Sequence, residues 1–522
     1  MQNMNPTDIS NWIKQQAGHG QLVSDSRRVK AGDVFFAYPG DGKDGRDYIA
    51  AAVAQGACAV VQEADGARWD AAWDVARPVP HLEVADLKRQ SGPIAQAFYG
   101  HPDRAMYSVA VTGTNGKTSC AVWLGQALGR LGSQTAVIGT LGVGMFRARG
   151  EPEFDPTGYT TPDAVLLAQK LAQCRDAGAQ ALAIEVTSIA LDLGRTDGMH
   201  FDTALFTNLT RDHLDHHGSM EAYEAAKLKL FDWPGLKTAV VNLDDATGLR
   251  IVERLSARAA AGQVAVMGYT LQDAAALPAI PHVAMLRATQ VRTRSAATEF
   301  NLDCPQGQAH VRTHLVGQFN ISNALAVLGA LLAKGAAGSV SLRHAVDAIE
   351  AIEPAPGRMQ QMGGVDAPLV VIDYAHTPDA LEKTLSTLRI VAQERGGRLW
   401  CVFGCGGDRD PGKRPQMGRI AQAADHVLVT SDNPRSEDPH AIIAQIVAGM
   451  DARHPSSDFQ AVEDRAAAIL SAVKHAGKQD VILLAGKGHE PYQEIKGRKM
   501  PFSDADHAQL ALSARLTMMR PN

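Results

Sequence analysis

The stretch VTGTNGKTS at 111–119 places two glycines, a lysine and two hydroxyl side chains within nine residues. An apolar run leads into it and a helical pattern, CAVWLGQALGRLG, leads out. A strand, a glycine turn and a helix start are the setting in which main-chain N–H groups cradle phosphate. The helix N-terminus adds partial positive charge there. Gly113 and Gly116 free the backbone to turn inward, Lys117 can reach terminal phosphates, and the Thr118 hydroxyl can ligate Mg²⁺. The strict pattern has four residues between its glycines; here Thr114 and Asn115 alone stand between them, a shortened variant. The alternative is a glycine turn with an incidental lysine, and the flanking strand and helix weigh against it.

Further chemistry follows apolar runs. Glu185 ends ALAIE, and carboxyl ends of strands in an open α/β sheet face the ligand crevice. It is either a carboxylate on the crest of the phosphate loop or a satisfied surface glutamate. TNLTRDHLDHHG (207–218) crowds Asp and His after another strand. It has no H-E-x-x-H pattern and no cysteine, so oxygen ligands beside a nucleotide favour Mg²⁺ over zinc. His213, nearest the strand end, is the best ligand; His216 and His217 read as loop residues. Lys227 and Lys229 lie on a helical stretch, and spacing alone makes both solvated. Near the end, TSDNPRSED (430–438) is a turn by its Asp, Asn and Pro, with an Arg that is either a solvated charge or a carboxylate grip.

The elements that must position these groups fall into three blocks. Residues 1–100 alternate short apolar runs with glycine turns, a small α/β unit. Residues 101–353 alternate strands and helices, which predicts a mostly parallel, doubly wound sheet; within them, 261–313 are less regular and can hold a strand-rich insertion. Residues 354–522 repeat the alternation as a second doubly wound, Rossmann-like unit, with Leu381, Leu385, Leu388 and Val391 on one helix face. GAAGS at 335–339 is at most a short turn.

The chain has 522 residues, 45% hydrophobic and 20% charged, with 51 Lys+Arg against 56 Asp+Glu for a net charge of −5. That is an ordinary globular composition, with no basic field for nucleic acid. The polar start lacks a secretory apolar segment, and no run approaches the ~18–20 apolar residues of a membrane helix. Six cysteines without zinc spacing fit reduced thiols in a cytoplasmic protein. Monomer is the default expectation, with no membrane or nucleic-acid partner.

Ten motifs stand in the order of one family. GTNGKTS, EVTS, TNLTRDHLDHHG, YEAAKLKLF, GQFNISNALA, PAPGRMQ, DYAHTPDAL, FGCGGDRDPGKRP, DNPR and GKGHEPYQ resemble the Mur ligases, the ATP-dependent amino-acid-adding enzymes of peptidoglycan synthesis. The resemblance spans nearly the whole chain. It is closest to the branch that adds a diamino acid to UDP-N-acetylmuramoyl-L-alanyl-D-glutamate, and VSDSRRVKAGDVFFAYPGDGKDG resembles that branch's uridine-binding domain. It implies that ATP phosphorylates a substrate carboxylate and that an amine attacks the acyl phosphate.

The resemblance also implies roles. Gly113, Thr114, Asn115, Gly116, Lys117, Thr118 and Ser119 would bind ATP, with Asn320 beside adenine and Arg358, Asp373 and His376 reaching from the third block. Lys227 matches a lysine that carries a CO₂-derived carbamate, an anionic ligand for Mg²⁺ shared with Glu185 and His213, while Thr118 serves the other metal position. Lys117, Lys227, His213 and Glu185 would then be the catalytic set. Ser26, Thr160, Thr161, Thr187 and Arg195 resemble contacts to the UDP-muramoyl-dipeptide. Two positions depart from the family: Ile189 stands where an imidazole is common, and Leu193 where a glutamine is.

For the incoming amine, the resemblance maps Arg409, Asp432, Asn433, Pro434, Arg435, Gly486 and Glu490. Guanidinium grips carboxylate through two parallel hydrogen bonds, and meso-diaminopimelate has one carboxylate more than lysine. A site built around such a pair can reject the analogue lacking it by roughly 10⁴-fold. DNPR therefore points to meso-diaminopimelate, with Glu490 suited to its distal amino group. The alternatives are a lysine-adding or other Mur ligase, a folylpolyglutamate synthase (which should lack the first block and DNPR), or an inactive nucleotide-binding sensor.

Overall fold

The computed structural model describes residues 4–519 except 41, 68, 74–77, 149, 151, 278, 295–296, 336–339 and 452–457. Most of GAAGS thus lies outside the described residues. The first sheet runs Leu22–Val23, Val34–Ala37, Ala59–Glu63, His81–Val84, all parallel and in chain order. Successive side chains of a strand point to opposite faces. Phe36 accordingly enters one core with Ile9, Ile13 and Leu87, and Phe35 another with Ile49 and Val60.

Among the described residues the central sheet has eleven strands. Its parallel middle, in spatial order, is Val283–Arg294, Ala265–Thr270, Thr238–Asn242, Thr203–Phe206, Tyr107–Thr112, Ala181–Glu185 and Thr135–Gly139. Burial on both faces explains why these strands read as continuous apolar runs. Val109, Val111, Leu205 and Val240 pack with the helices Lys117–Arg130 and Gln318–Gly335. Ala110, Ala204, Leu182 and Ile184 face the other core, with Leu167, Leu171, Ile251 and Leu255. The glycine loop, Glu185 and Thr207 all follow or end parallel strands on one crest.

The segment 261–313 supplies Ala265–Thr270 and then an antiparallel meander, Val283–Arg294, Ala297–Cys304 and Gly307–Thr313, which extends the sheet edge. The register shifts between Thr289 and Arg292, where Gln290 takes a φ of 53°. Its side chains alternate between covered and half-covered positions, so it lacks the solid apolar runs of the middle strands.

The third sheet orders Gln360–Gly363, Leu369–Asp373, Val481–Ala485, Leu399–Phe403, His426–Val429 and Asp458–Ala461, parallel except for its first pair. Helix Pro378–Arg395 buries Leu381, Leu385, Leu388 and Val391, as their spacing predicts. Helices Lys413–Ala421 and Pro439–Val447 follow. A two-stranded hairpin, Tyr492–Ile495 with Arg498–Pro501, precedes the last helix, Asp504–Met519. That helix is anchored by the fully buried Arg465–Asp504 pair, a two-pronged contact of 2.7 Å at each oxygen. All six cysteines are buried free thiols. Among the described residues no helix is long and apolar enough to cross a membrane.

Candidate functional site

The glycine loop closes on itself around a half-buried cation, Lys117. Gly113 and Gly116 have φ of 146° and 88°, a region that favours glycine. A Cβ on Gly113 would come within 1.8 Å of Thr207 Oγ1. Lys117 Nζ donates to the Gly113 and Thr114 carbonyls at 2.9 and 2.8 Å. The loop is braced from the neighbouring strand end: Asn208 accepts from the Asn115 N–H at 2.9 Å and Thr207 Oγ1 donates to the Asn115 carbonyl at 2.6 Å.

Glu185 is buried, not a surface glutamate. Its carboxylate accepts from Thr118 Oγ1 at 3.1 Å, and from the Thr140 N–H and hydroxyl at 2.8 and 3.2 Å. A carboxylate and a threonine hydroxyl thus meet beside the loop, a hard-oxygen pair that suits Mg²⁺. Arg358 of the third unit donates to the same Thr118 hydroxyl at 3.1 Å and stacks on Tyr374, 4.4 Å from its centroid. Asn115 donates to Asp379 at 3.1 Å, a second bridge between the two units.

The expectation that Lys227 and Lys229 are both solvated holds for Lys229 alone. Lys227 is buried, lies 4.6 Å from the Tyr223 ring centroid, and donates to the Gly113 carbonyl at 2.8 Å. The helix Met220–Leu228 turns that face inward through Tyr223 and Ala226. Burial, and then the neighbouring Lys117 charge, push the Lys227 ammonium well below its ordinary pKa. Burial also lowers Lys117, against the pull of Glu185. His213 takes a φ of 53° and stands 3.6 Å from Asp212; burial holds its imidazole below the usual histidine range. His216 and His217, expected in a loop, close the short helix Leu214–His217.

These groups open on a cavity of about 1640 Å³. Thr114 through Ser119, Glu185, His213, Thr160, Thr161, Thr187, Arg195, Asn320, Arg358, Asp373, His376, Arg409, Arg435 and Glu490 line it. Ser26, Gly113, Lys227, Asp432, Asn433, Pro434 and Gly486 do not. Gly113 belongs to the loop itself, and Lys227 sits directly behind it on the Gly113 carbonyl. Ser26 opens a short 3₁₀ turn capped by Asp25.

On the wall from the third unit, Asp373 accepts from the Met359 N–H at 2.9 Å, and burial raises its carboxyl. His376 is fixed by the Tyr374 carbonyl at 2.8 Å; burial, helped by Lys413, lowers it to about 4. Asn320 donates to the Val316 carbonyl at 2.9 Å. On the opposite side, Arg195 donates to the Thr161 carbonyl at 3.0 Å, and Thr161 to the Glu185 carbonyl at 2.8 Å. Ile189 lines this part of the cavity with an apolar surface; Leu193 caps its helix away from it.

The turn at 432–435 is held by the hairpin behind it. Arg435 has a φ of 52°; its N–H donates to the Glu494 carbonyl at 2.9 Å and its carbonyl accepts from Lys496 at 2.7 Å. Its guanidinium donates to the Gly407 carbonyl at 2.7 Å, 3.5 Å from the Glu494 carboxylate, and faces the cavity with Arg409 and Glu490. Asn433 donates to Glu490 at 2.8 Å and accepts from Lys487 at 3.1 Å. Gly486 takes a φ of 107° against Asp432, where a Cβ would come within 2.6 Å of the carboxylate.

Residue types alone passed over several groups. Lys487 is fully buried between Glu490, at 3.2 Å, and Asp432, at 3.6 Å. His489 lines the cavity with its Nδ1 buried and unpartnered, and burial, with Arg358, lowers it to about 4. Both stand inside the quoted GKGHE, which was the available signal. Asp379 likewise stands inside DYAHTPDAL, while Thr140 carries no such signal; only folding brings them to Asn115 and Glu185.

Family models match three stretches: "Mur ligase family, catalytic domain" over 21–99, "Mur ligase middle domain" over 111–331 and "Mur ligase, glutamate ligase domain" over 357–488. A relative from Janthinobacterium sp. (strain Marseille), named UDP-N-acetylmuramoyl-L-alanyl-D-glutamate--2,6-diaminopimelate ligase, is 62% identical over 508 residues, 97% of each chain. A solved structure with the same enzyme name is 35% identical with a TM-score of 0.62, covering 95% of each chain. The MurF ligase of Thermotoga maritima in complex with ADP shares the fold at 16% identity, with a TM-score of 0.62 over 96% of this chain and 99% of its own.

Proposed function

The chain belongs to the Mur ligase family, and from that premise we propose that it joins meso-2,6-diaminopimelate to the D-glutamate carboxylate of UDP-N-acetylmuramoyl-L-alanyl-D-glutamate, converting ATP to ADP and phosphate. The observation that carries the reading is one cavity with a phosphate loop, Glu185 and Arg358 on one side and Arg435 with Glu490 on the other. The full-length relatives bearing that enzyme name support it. On this reading 1–100 holds the UDP-sugar, 101–353 the ATP and 354–522 the amino acid.

The chemical difficulty is the approach of two anions, the substrate carboxylate and the γ-phosphate, in a low-dielectric site. Lys117 and Arg358 supply positive charge where it must be offset, and such preorganised charge is the main source of rate. The carboxylate takes the γ-phosphoryl group, ADP leaves, and the amine attacks the resulting acyl phosphate; phosphate departs as the amide forms. Thr160, Thr161, Thr187 and Arg195 orient the muramoyl-dipeptide, with Ser26 toward its uridine. Asn320, Asp373 and His376 hold the nucleotide. Arg409 and Arg435 receive the carboxylates of the incoming amino acid and Glu490 its distal ammonium, with Asp432, Asn433, Pro434 and Gly486 shaping the wall behind them.

Mg²⁺, when bound, would neutralise phosphate charge, and the donors suited to it are Thr118, Glu185, His213 and a carbamate on Lys227. The donor chemistry fits: Thr118 and Glu185 pair their oxygens at 3.1 Å. Lys227 also fits, because an unmodified ammonium there shares the Gly113 carbonyl with Lys117. The environment that pushes its pKa down favours the neutral amine, which is the form that adds CO₂ with loss of a proton. The carbamate replaces one of two adjacent cations by an anion.

Phosphate release is measured with ATP, the UDP-muramoyl-dipeptide and either diaminopimelate or lysine. Release with diaminopimelate and not lysine is the expected result. Release with lysine alone assigns the lysine-adding reaction, and no release with any amine refutes the ligase reading.

A further inference from the structure

Outside the cavity, the ligand atoms of Asp192, His216 and His217 lie within 4.8 Å of one another, and among the described residues no other His, Cys, Asp and Glu group of three does so. We infer that these three side chains form a binding site for a transition-metal dication of the Zn²⁺ or Co²⁺ class, separate from the Mg²⁺ position at the phosphate loop. Asp192 ends the helix Ser188–Asp192, and the histidines end Leu214–His217.

The geometry is that of neighbouring ligands. His216 Nε2 stands 3.2 Å from Asp192 Oδ2. Donors at about 2.0–2.2 Å from a tetrahedral centre are themselves about 3.3–3.6 Å apart. The two imidazole planes cross at 83°, so the rings approach from different directions. His217 Nε2 is 2.9 Å from the Ser188 hydroxyl, which holds the ring in place. The Asp192 and His216 side chains are 43% and 28% exposed, so an ion can enter and keep a water ligand. Two imidazoles and one carboxylate select zinc-like ions over Mg²⁺, which prefers oxygen throughout.

One neighbour opposes the ion. Lys229 Nζ lies 3.1 Å from the other Asp192 oxygen and competes for its charge. The site also reaches toward the phosphate loop. The His217 ring is 5.3 Å from the Tyr223 ring, whose hydroxyl lies 3.0 Å from Thr114 Oγ1.

The test uses the full chain, stripped with a chelator and titrated with Co²⁺ in excess Mg²⁺, with visible absorption as the readout and Zn²⁺ competition as a check. One Co²⁺ per chain is expected, with a d–d band that Mg²⁺ does not bleach and Zn²⁺ does. His216→Ala and Asp192→Asn should each weaken binding by about 10-fold or more, while Lys229→Ala tightens it. The variants' thermal melts in the absence of metal verify folding, and His216→Ala removes a side chain on the surface. Unchanged Co²⁺ affinity in His216→Ala, or displacement of Co²⁺ by Mg²⁺, overturns the assignment.

Discussion

Two ammonium groups, those of Lys117 and Lys227, donate to the single carbonyl of Gly113. Two cations on one acceptor repel, and Lys227 is the buried one, which makes it the side chain whose chemistry the site most depends on. Lys227→Arg keeps the positive charge and cannot take CO₂ as a primary amine does. We expect kcat to fall by about 10²–10³-fold, the range for loss of one preorganised electrostatic group. Phosphate release compared with equilibrium ATP binding checks this; a variant with native kcat removes the carbamate role. Arg435 presents the opposite case, a guanidinium half-satisfied by Gly407 and Glu494 and open to the cavity. Arg435→Ala should raise the KM for diaminopimelate by about 10–100-fold, as for a lost charge-assisted hydrogen bond, with the ATP KM little changed. An unaltered diaminopimelate KM refutes its role. DNPR after a strand left Arg435 as either a solvated charge or a carboxylate grip, and the family resemblance pointed it toward the site; its place on the cavity wall came with the fold. The burial of Lys227 was not legible, because its helix places Lys229, two positions on, toward solvent.

At the scale of elements, the connection into the third sheet is set by close backbone contact. Gly357 has a φ of 65°, and a Cβ there would meet the His489 N at 2.2 Å, main chain against main chain. Gly357→Ala should push PAPGR away from GKGHE and pull Arg358 off Thr118. The expected result is a fall of about 10-fold or more in kcat/KM for ATP, with 1.4 kcal/mol for each tenfold, while far-UV circular dichroism stays native. Unchanged ATP kinetics would show that the loop tolerates the displacement. The helices and parallel strands here were legible, since Leu381, Leu385, Leu388 and Val391 recur at helical spacing and LVVI at 369–372 is solidly apolar. The Tyr492–Ile495 hairpin was not: its strands are half-covered or exposed and carry no apolar alternation. Its job is to brace the backbone of Arg435, which no local pattern announces.

At the scale of the molecule, the third unit completes the cavity of the second. Arg358 and Asp379 reach the glycine loop, and His376 and His489 come with them as neutral imidazoles near pKa 4. The sign of the pH effect follows. In the unfolded chain each imidazole takes its proton near 6.5, the ordinary value, and in the folded chain only near 4. The unfolded state therefore binds more protons in between, and stability falls as pH drops from about 6.5 to about 4, with no further loss from these groups below that. Urea midpoints at pH 7 and pH 5 should differ, and the double variant His376→Gln, His489→Gln should shrink the difference. An equal difference in both proteins would discard these histidines as the source.

The order of ten motifs, the strand-turn-helix around Gly113 and Gly116, and the alternation of apolar runs determined the family resemblance, the α/β class and the place of the glycine loop. Each motif and apolar run is a local property, written in residues a few positions apart, and the order of the motifs is read directly along the chain. Tertiary structure decided which polar residues meet: Thr140 on Glu185, Asp379 on Asn115, Lys487 between Asp432 and Glu490, and Lys227 behind the loop. It also gathered Asp192 with His216 and His217. Such contacts join residues up to 264 positions apart, and they exist only because packing of the sheets and helices brings distant strand ends to one crest.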